Sequence, residues 1–139
     1  MIGADCAEEF SVPKDALPGT VMVIDDVGGL VASTRPYDTR VAGVIAGAGG
    51  YKPALILDSD GAAEPRGSRR AISLVGKAYC RADASQGPIS VGDLLTTAGV
   101  AGCAMRASDR DRAFGAVLGK ALEPLDEGVG LIPILIALQ

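Results

Sequence analysis

The sequence contains no histidine and no tryptophan in 139 residues. The lack of histidine excludes imidazole general bases, Ser-His-Asp triads and His metal sites. Two phenylalanines and three tyrosines are the only aromatic residues, so bases or sugars find few rings on which to stack. Because most familiar enzyme chemistries need one of these groups, we predict that the protein is not an enzyme. We assign no catalytic, cofactor-binding or metal-binding residue, and we expect no cofactor.

Cysteine is also scarce, with three residues at wide spacing: Cys6, Cys80 and Cys103. An odd number without a C-x-x-C pair matches neither a metal or redox site nor a disulfide framework. Cys80 ends a strand-like run and Cys103 lies in an apolar one, so we expect both to be small buried residues. Cys6 lies in a polar segment, which is compatible with an exposed side chain. A catalytic thiolate there would lack a histidine partner.

Basic residues are outnumbered, because 13 lysines and arginines face 17 acidic residues and leave a net charge of −4. An acidic chain without a dominant basic face is a poor nucleic-acid binder, so we expect no nucleic-acid partner. The uncharged tail Gly128–Gln139 is too short to cross a bilayer and no signal pattern precedes the domain, so we expect no membrane insertion. The length and the 48% of apolar residues predict a single β domain over residues 1–139.

Short apolar runs, separated by Gly, Pro and Asp, recur along the whole chain. Most are rich in Val, Ile and Leu and are bounded by turn residues, which is typical of strands. Nineteen glycines and eight prolines leave little room for long helices. The runs are Thr20–Ile24, Leu30–Ser33, Val41–Ala46, Ala54–Asp58, Ala71–Cys80, Asp93–Thr97, Cys103–Arg106, Ala113–Leu122 and Leu131–Leu138. They predict an all-β fold, a compact barrel or sandwich, with at most one or two short helices.

Turn and cap signals separate these runs. Gly28 or Gly29 would supply the positive φ of the first hairpin. The one helical candidate is a turn over Ser108–Arg112, which Ser108 would cap. The segment Asp58–Ser68 has few apolar residues, and we expect it to be the longest exposed loop.

The sequence also contains an internal repeat. Two units over about residues 18–47 and 91–120 follow an N-terminal segment, residues 1–17. The matched segments are Gly19–Val23 with Gly92–Thr96, Gly29–Ala32 with Gly102–Met105, and Arg40–Val44 with Arg112–Ala116. Each unit would be a β-hairpin, a polar crossing segment and a returning strand. Because neither unit can bury a face alone, we expect two pseudo-symmetric halves of one barrel or sandwich.

Glycines within strand-like runs and an apolar last segment raise the question of self-association. The strand glycines are Gly43, Gly47, Gly76, Gly115 and Gly119. They predict bends in a tight barrel, close approach of subunits, or both. Leu131–Leu138 is apolar on both faces of a strand, so both faces need cover, either inside one barrel or against other subunits. Pro133 favours an edge position or the first residues of that strand.

Several segments together carry a resemblance to a known family. They are Asp5–Phe10, Pro18–Val23, Arg35–Val44, Gly87–Leu95 and Gly119–Leu125. The series resembles a C-terminal β module of bacterial proteins that are often described as hypothetical or tail-fibre-like. It is also distantly similar to the autoprocessing, intramolecular-chaperone domain of phage appendage and tail-spike proteins, through its Asp-x-Ala-Glu-x-Phe start and its Tyr-Asp…Val-Ala-Gly-Val segment.

The resemblance implies a non-enzymatic structural module that promotes or caps homotrimer assembly after a fibrous or β-helical stalk. Its partners would be its own copies and the upstream stalk, on a phage-like particle, an injection apparatus or a cell surface. The alternative implied by the processing relatives is self-cleavage near the acidic start, where Asp5, Cys6, Glu8 and Glu9 lie. No serine or threonine precedes Ser11, which departs from a hydroxyl-nucleophile scheme.

A second alternative is binding of a glycan or another small ligand by the two polar crossing segments, Ser33–Arg40 and Ser108–Arg112. Arg40 would pair with Asp38, and Arg112 with Asp111, or each arginine would present its planar fork to an anionic ligand. The glycine-rich stretch Gly43–Gly50 lacks the Lys-Ser or Lys-Thr of a phosphate-binding loop, so we interpret it as a turn.

Overall fold

The computed structural model describes residues 6–50, 55–57 and 68–139. Its strands are β1 (Cys6–Val12), β2 (Val21–Ile24), β3 (Leu30–Ala32), β4 (Val41–Ile45), β5 (Leu55–Leu57), β6 (Ser68–Asp83), β7 (Leu94–Thr97), β8 (Ala104–Arg106), β9 (Val117–Ala121) and β10 (Val129–Ile136). A 3-10 turn covers Ala48–Gly50, and one helix, α1, covers Arg110–Ala113. The prediction of an all-β fold with at most one or two short helices is confirmed. Among these described elements, no helix is long and apolar enough to span a membrane.

The C-terminal half closes into a five-stranded barrel. Its strands follow the order β10, β9, β7, β8 and β6, and β10 then pairs with β6 to complete the ring. The β6–β8 contact is parallel, and the other contacts in the ring are antiparallel. Closure removes the open sheet edges of these strands.

The N-terminal half is built on the same long strand. β6 continues out of the barrel, and its first residues pair with β1 on one side and β4 on the other. β2 then joins β4 to β3, while β5 runs parallel to β1. Gly76 has φ 97° at the point where β6 passes from one half to the other. A positive φ suits glycine because an L side chain rarely adopts it, and glycine therefore allows the strand to turn here.

Both halves repeat one pairing pattern around a central strand. In the first half β2 pairs with β3 and β4, and in the second half β7 pairs in the same way with β8 and β9. The central strand has a register shift after Met22 in the first half and after Leu95 in the second. Gly43 lies opposite Met22, and Gly119 lies opposite Leu95. The proposed match of Gly43 with Gly115 is therefore wrong. The short helix α1, which the first half lacks, moves the true equivalent four residues along the chain.

The glycine predictions hold for some positions and fail for others. Gly43, Gly76 and Gly119 lie within strands, but Gly47 and Gly115 lie in turns just outside them, with φ of 108° and 79°. In the first hairpin the positive φ belongs to Gly28, at 92°. The predicted exposed loop Asp58–Ser68 falls outside the described residues except for Ser68, which begins β6.

Two main apolar clusters fill the two halves. The larger one lies in the barrel and extends to β2 and β4 of the N-terminal half, and the smaller one lies under β1, β2 and the start of β6. The barrel cluster contains Val21, Val41, Val44, Ala78, Cys80, Ala82, Ile89, Leu95, Ala104, Leu118, Ala121, Ile132, Ile134 and Ile136. The smaller cluster contains Val12, Met22, Leu30, Ile45 and Ile72. Aliphatic side chains thus supply these cores almost alone, as the scarcity of aromatic residues requires.

The last strand does not lie at an edge, contrary to the prediction from Pro133. β10 is flanked by β6 along its length and by β9 over Ile134–Ile136. The carbonyl of Pro133 accepts a hydrogen bond from the Leu122 amide, one residue beyond the end of β9. A strand residue points its amide and carbonyl to the same side, so the missing N–H of Pro133 faces the place where β9 has ended.

Candidate functional site

The two polar crossing segments of the sequence analysis meet at one place. The backbone amide of Asp109 donates a hydrogen bond to the Tyr37 hydroxyl at 2.9 Å. The Arg112 guanidinium lies over the Tyr37 ring, 4.5 Å from its centroid. The helix cap is Asp109, whose carboxylate accepts from the amides of Asp111 and Arg112, so the prediction of Ser108 as the cap is wrong by one residue.

A buried hydrogen-bond network fixes the segment that carries Tyr37. The Thr97 hydroxyl donates to the Arg35 carbonyl at 2.7 Å and accepts from the Asp38 amide at 2.8 Å. The Asp38 carboxylate, which is buried, accepts from the Arg40 amide and lies 3.5 Å from the Arg35 guanidinium. Between these residues Tyr37 has φ 55°, a left-handed conformation that is uncommon outside glycine. Such strain persists only where surrounding contacts impose it.

An open pocket of about 400 Å³ lies between the two segments, and we call it the crossover pocket. Its lining comes from four parts of the chain. They are Pro36 and Tyr37, then Asp83, Ser85 and Gln86, then Gly99 and Val100, and finally Met105, Arg106, Ser108, Asp109 and Arg112. The pocket therefore presents hydroxyl, amide, carboxylate and guanidinium groups beside a small apolar surface.

The charged groups of this pocket are engaged to different extents. Asp83 is 3% exposed, and its carboxylate accepts from the Ser85 amide at 3.1 Å and hydroxyl at 2.9 Å. Arg106 lies 3.7 Å from Asp93 in a surface ion pair. Within the part of the chain that the structure describes, Arg112 has no carboxylate at ion-pair distance. Its guanidinium is the cation in this pocket that remains available to an anion.

The predicted arginine–aspartate pairs do not form as expected. The Arg40 side chain contacts Asp26 at 3.0 Å, at the tip of the first hairpin, rather than Asp38. Arg112 stacks on Tyr37 instead of pairing with Asp111. The two arginines therefore do not occupy equivalent places in the two halves, because α1 displaces the second one.

The acidic start of the chain forms a strand that the sequence analysis missed. Glu9 lies 3.7 Å from Arg69 on the neighbouring strand β6, and Glu8 is partly buried in β1. Cys6 begins this strand, and Asp5 lies outside the described residues. The polar composition of Cys6–Val12 hid the strand signal, since apolar alternation is limited to Phe10 and Val12 around Ser11.

The other two cysteines are buried, as predicted. Cys80 and Cys103 are both 0% exposed. Burial raises the pKa of the Cys80 thiol far above its usual range, and the neighbouring Cys103 adds to the shift. Burial also raises the pKa of Cys103, while Arg81 opposes the shift. Two neutral thiols of this kind are packing groups rather than nucleophiles. The described residues contain no group of three or more potential metal ligands.

The outer surface of the barrel carries a second notable feature. One row of paired residues crosses four neighbouring strands. It consists of Leu94 on β7, Lys120 on β9, Leu135 on β10 and Lys77 on β6. The row contains no acidic residue, although the chain is acidic overall. The apolar side chains on or beside this row that remain about 36–46% exposed are Val75, Leu94, Leu122, Leu131 and Leu135. We call these residues, with Lys77 and Lys120, the outer barrel face.

A smaller apolar groove of about 300 Å³ adjoins this face at the start of β9. Leu94, Ala113 and Val117 line it, together with Phe114. Phe114 is 90% exposed, the highest value among the large apolar side chains described. An exposed phenylalanine beside an apolar groove extends the apolar character of the outer barrel face.

Comparison with known proteins gives a fold and no family. No family model matches the chain, and no curated protein matches it. The C-terminal fragment of gene product 12 of bacteriophage phi29 is 15% identical and has a TM-score of 0.60, with 96% of this chain and 100% of that chain covered. The head fiber gp8.5 N base of bacteriophage phi29 is 17% identical with a TM-score of 0.47, over 93% of this chain and 91% of that chain.

The similarity to the gene product 12 fragment extends over almost the whole chain. This chain therefore has a fold that also occurs in a bacteriophage protein. At this sequence identity the shared feature is the fold alone.

Proposed function

We propose that the chain is a non-enzymatic structural module of a phage-like fibre or appendage, which joins three copies of itself at the end of an upstream stalk. The observation that carries this proposal is the outer barrel face, because large apolar side chains on or just beyond β6, β7, β9 and β10 remain exposed in the single chain. The fold shared with a phage protein supports the setting.

Head-to-tail association explains the composition of this face. Its two lysines lie on a molecule with net charge −4, so the rest of the surface carries the excess of acidic groups. A contact between the outer barrel face of one copy and an acidic region of the next would bury leucines and bring Lys120 next to a carboxylate. A contact between two different surfaces of the same chain forms a closed ring when the repeated rotation from one copy to the next returns to the first copy.

The proposal is tested by comparing two variants by size-exclusion chromatography with light scattering. Leu135→Glu places a carboxylate at the centre of the outer barrel face. Val27→Glu is the matched control, because Val27 is 89% exposed at the tip of the first hairpin. We expect the first variant to dissociate to the 14.0 kDa chain and the second to keep the mass of the unmodified protein. Equal masses for all three proteins would contradict a contact through this face, provided that their circular dichroism spectra agree.

A further inference from the structure

The residues that line the crossover pocket are not those of the outer barrel face. We propose that the crossover pocket binds a small hydroxylated carboxylate, of the size and chemistry of a single acidic sugar, with Arg112 as the group that holds the carboxylate. The volume of about 400 Å³ lies within the range of small-molecule sites, roughly 300–1,000 Å³.

Arg112 is held ready for an anion. Its guanidinium lies 4.5 Å from the centroid of the Tyr37 ring, so the ring covers one face of the planar group. Stacking leaves the N–H groups at the edge of the plane free, and their fork matches the two oxygens of a carboxylate. Among the described residues, the Asp109 carboxylate is not at ion-pair distance from this fork, and its Oδ1 atom caps the helix by accepting from the amides of Asp111 and Arg112.

Asp83 indicates that the ligand also carries hydrogen-bond donors. It is buried at 3% exposure and lines the pocket, and among the described residues only Ser85 donates hydrogen bonds to its carboxylate. An ionised carboxylate offers about four acceptor positions, so capacity remains for two further donors. A buried charge without a paired cation is costly unless hydrogen bonds satisfy it. Hydroxyl groups of a ligand would supply these donors.

Neutral groups favour a polyhydroxylated ligand over a simple acid. Ser85, Gln86 and Ser108 surround the two charged residues and can each donate or accept a hydrogen bond. Met105 and Pro36 offer an apolar surface for the carbon face of a sugar ring. A ligand with one carboxylate and several hydroxyl groups on a compact ring satisfies all of these contacts.

The backbone around the pocket is rigid in the way that a binding site requires. Tyr37 keeps its φ of 55° because the Thr97 hydroxyl fixes the chain before and after it. The hydroxyl donates to the Arg35 carbonyl and accepts from the Asp38 amide. The strained residue thus places its ring beneath Arg112 before any ligand arrives. Preorganisation of this kind lowers the entropic cost of binding.

Calorimetric titration with glucuronate, with glucose as the uncharged analogue, tests the proposal. We expect glucuronate to bind the unmodified protein and glucose to bind at least about tenfold more weakly, because it lacks the carboxylate. Arg112→Gln should weaken the affinity for glucuronate by about tenfold or more. Arg110→Gln is the matched control, since Arg110 lies two residues away on the same helix turn and does not line this pocket. It should leave the affinity unchanged.

Three results would overturn the proposal. They are no heat of binding up to about 10 mM glucuronate, equal affinities for glucuronate and glucose, and an equal loss in the two arginine variants. Amide chemical shifts of Tyr37 and Ser85 on titration give a second readout that does not depend on a variant folding. Shifts confined to residues outside the crossover pocket would also count against it.

Discussion

Gly119 on β9 packs its α-carbon directly against the backbone carbonyl of Leu135 on β10. A β-carbon at position 119 would overlap that carbonyl oxygen, and the nearby Cα of Ile136 would be only 2.9 Å away. The equivalent residue of the other half, Gly43, stands in the same relation to the carbonyl of Ser73. Each half therefore uses one glycine to bring its returning strand close to the next strand.

Gly119→Ala should lower the free energy of unfolding by about 2 kcal/mol or more, because the clash is with backbone that cannot move aside cheaply. Chemical denaturation measures the change. Gly99→Ala is the matched control, because its β-carbon would have Pro36 at 3.8 Å as nearest neighbour and the exposed site can accept it. Equal stability of the two variants would show that β9 and β10 are not packed as described.

Thr97→Val should destabilise the protein by about 2–4 kcal/mol although the two side chains have the same shape. The substitution leaves the amide of Asp38 and the carbonyl of Arg35 without the hydroxyl that now bonds to both. Thermal unfolding measures the loss. Thr34→Val, at an exposed position, should change stability by less than about 0.5 kcal/mol. A Thr97 variant as stable as this control would contradict the network.

The cysteines should react in two classes. Cys6 is partly exposed, whereas Cys80 and Cys103 are fully buried with pKa values raised by burial. We expect one thiol per chain to react rapidly with a thiol reagent in the native protein and the other two only after unfolding. Cys6→Ser should abolish the rapid phase. Two or three rapid thiols in the native protein would disprove the buried placement.

Alkaline pH should weaken the fold through the same two thiols. Both groups have a higher pKa in the folded state than in the unfolded chain, so the unfolded chain loses protons first as the pH rises. The free energy of unfolding is therefore unaffected below pH 9.0, the usual thiol value, and falls above it. Cys80→Ala should reduce the slope of this fall. An unchanged slope in that variant would assign the alkaline loss to other groups.

The sequence predicted the β class and most strands because their apolar runs end at turn residues. It also located the crossing segments that meet at Tyr37 and Asp109. It missed β1, since Glu8 and Glu9 interrupt the apolar pattern of that strand. Their partial burial depends on β6, which lies some sixty residues later in the chain, and composition gives no sign of that contact.

Side-chain partners were harder to predict than strands. The pairing of Arg40 with Asp38 followed from sequence distance, but Arg40 instead reaches Asp26 across the hairpin. The equivalence of Gly115 with Gly43 failed because the second half contains one turn of helix that the first half lacks. Long-range register decides both cases, and a single sequence contains no direct record of it.

The proposed function requires that copies of the chain associate through the outer barrel face. Sedimentation equilibrium of the unmodified protein at micromolar concentration tests this claim directly. We predict a single species with three times the chain mass of 14.0 kDa. A species of one chain mass across that concentration range would contradict the claim.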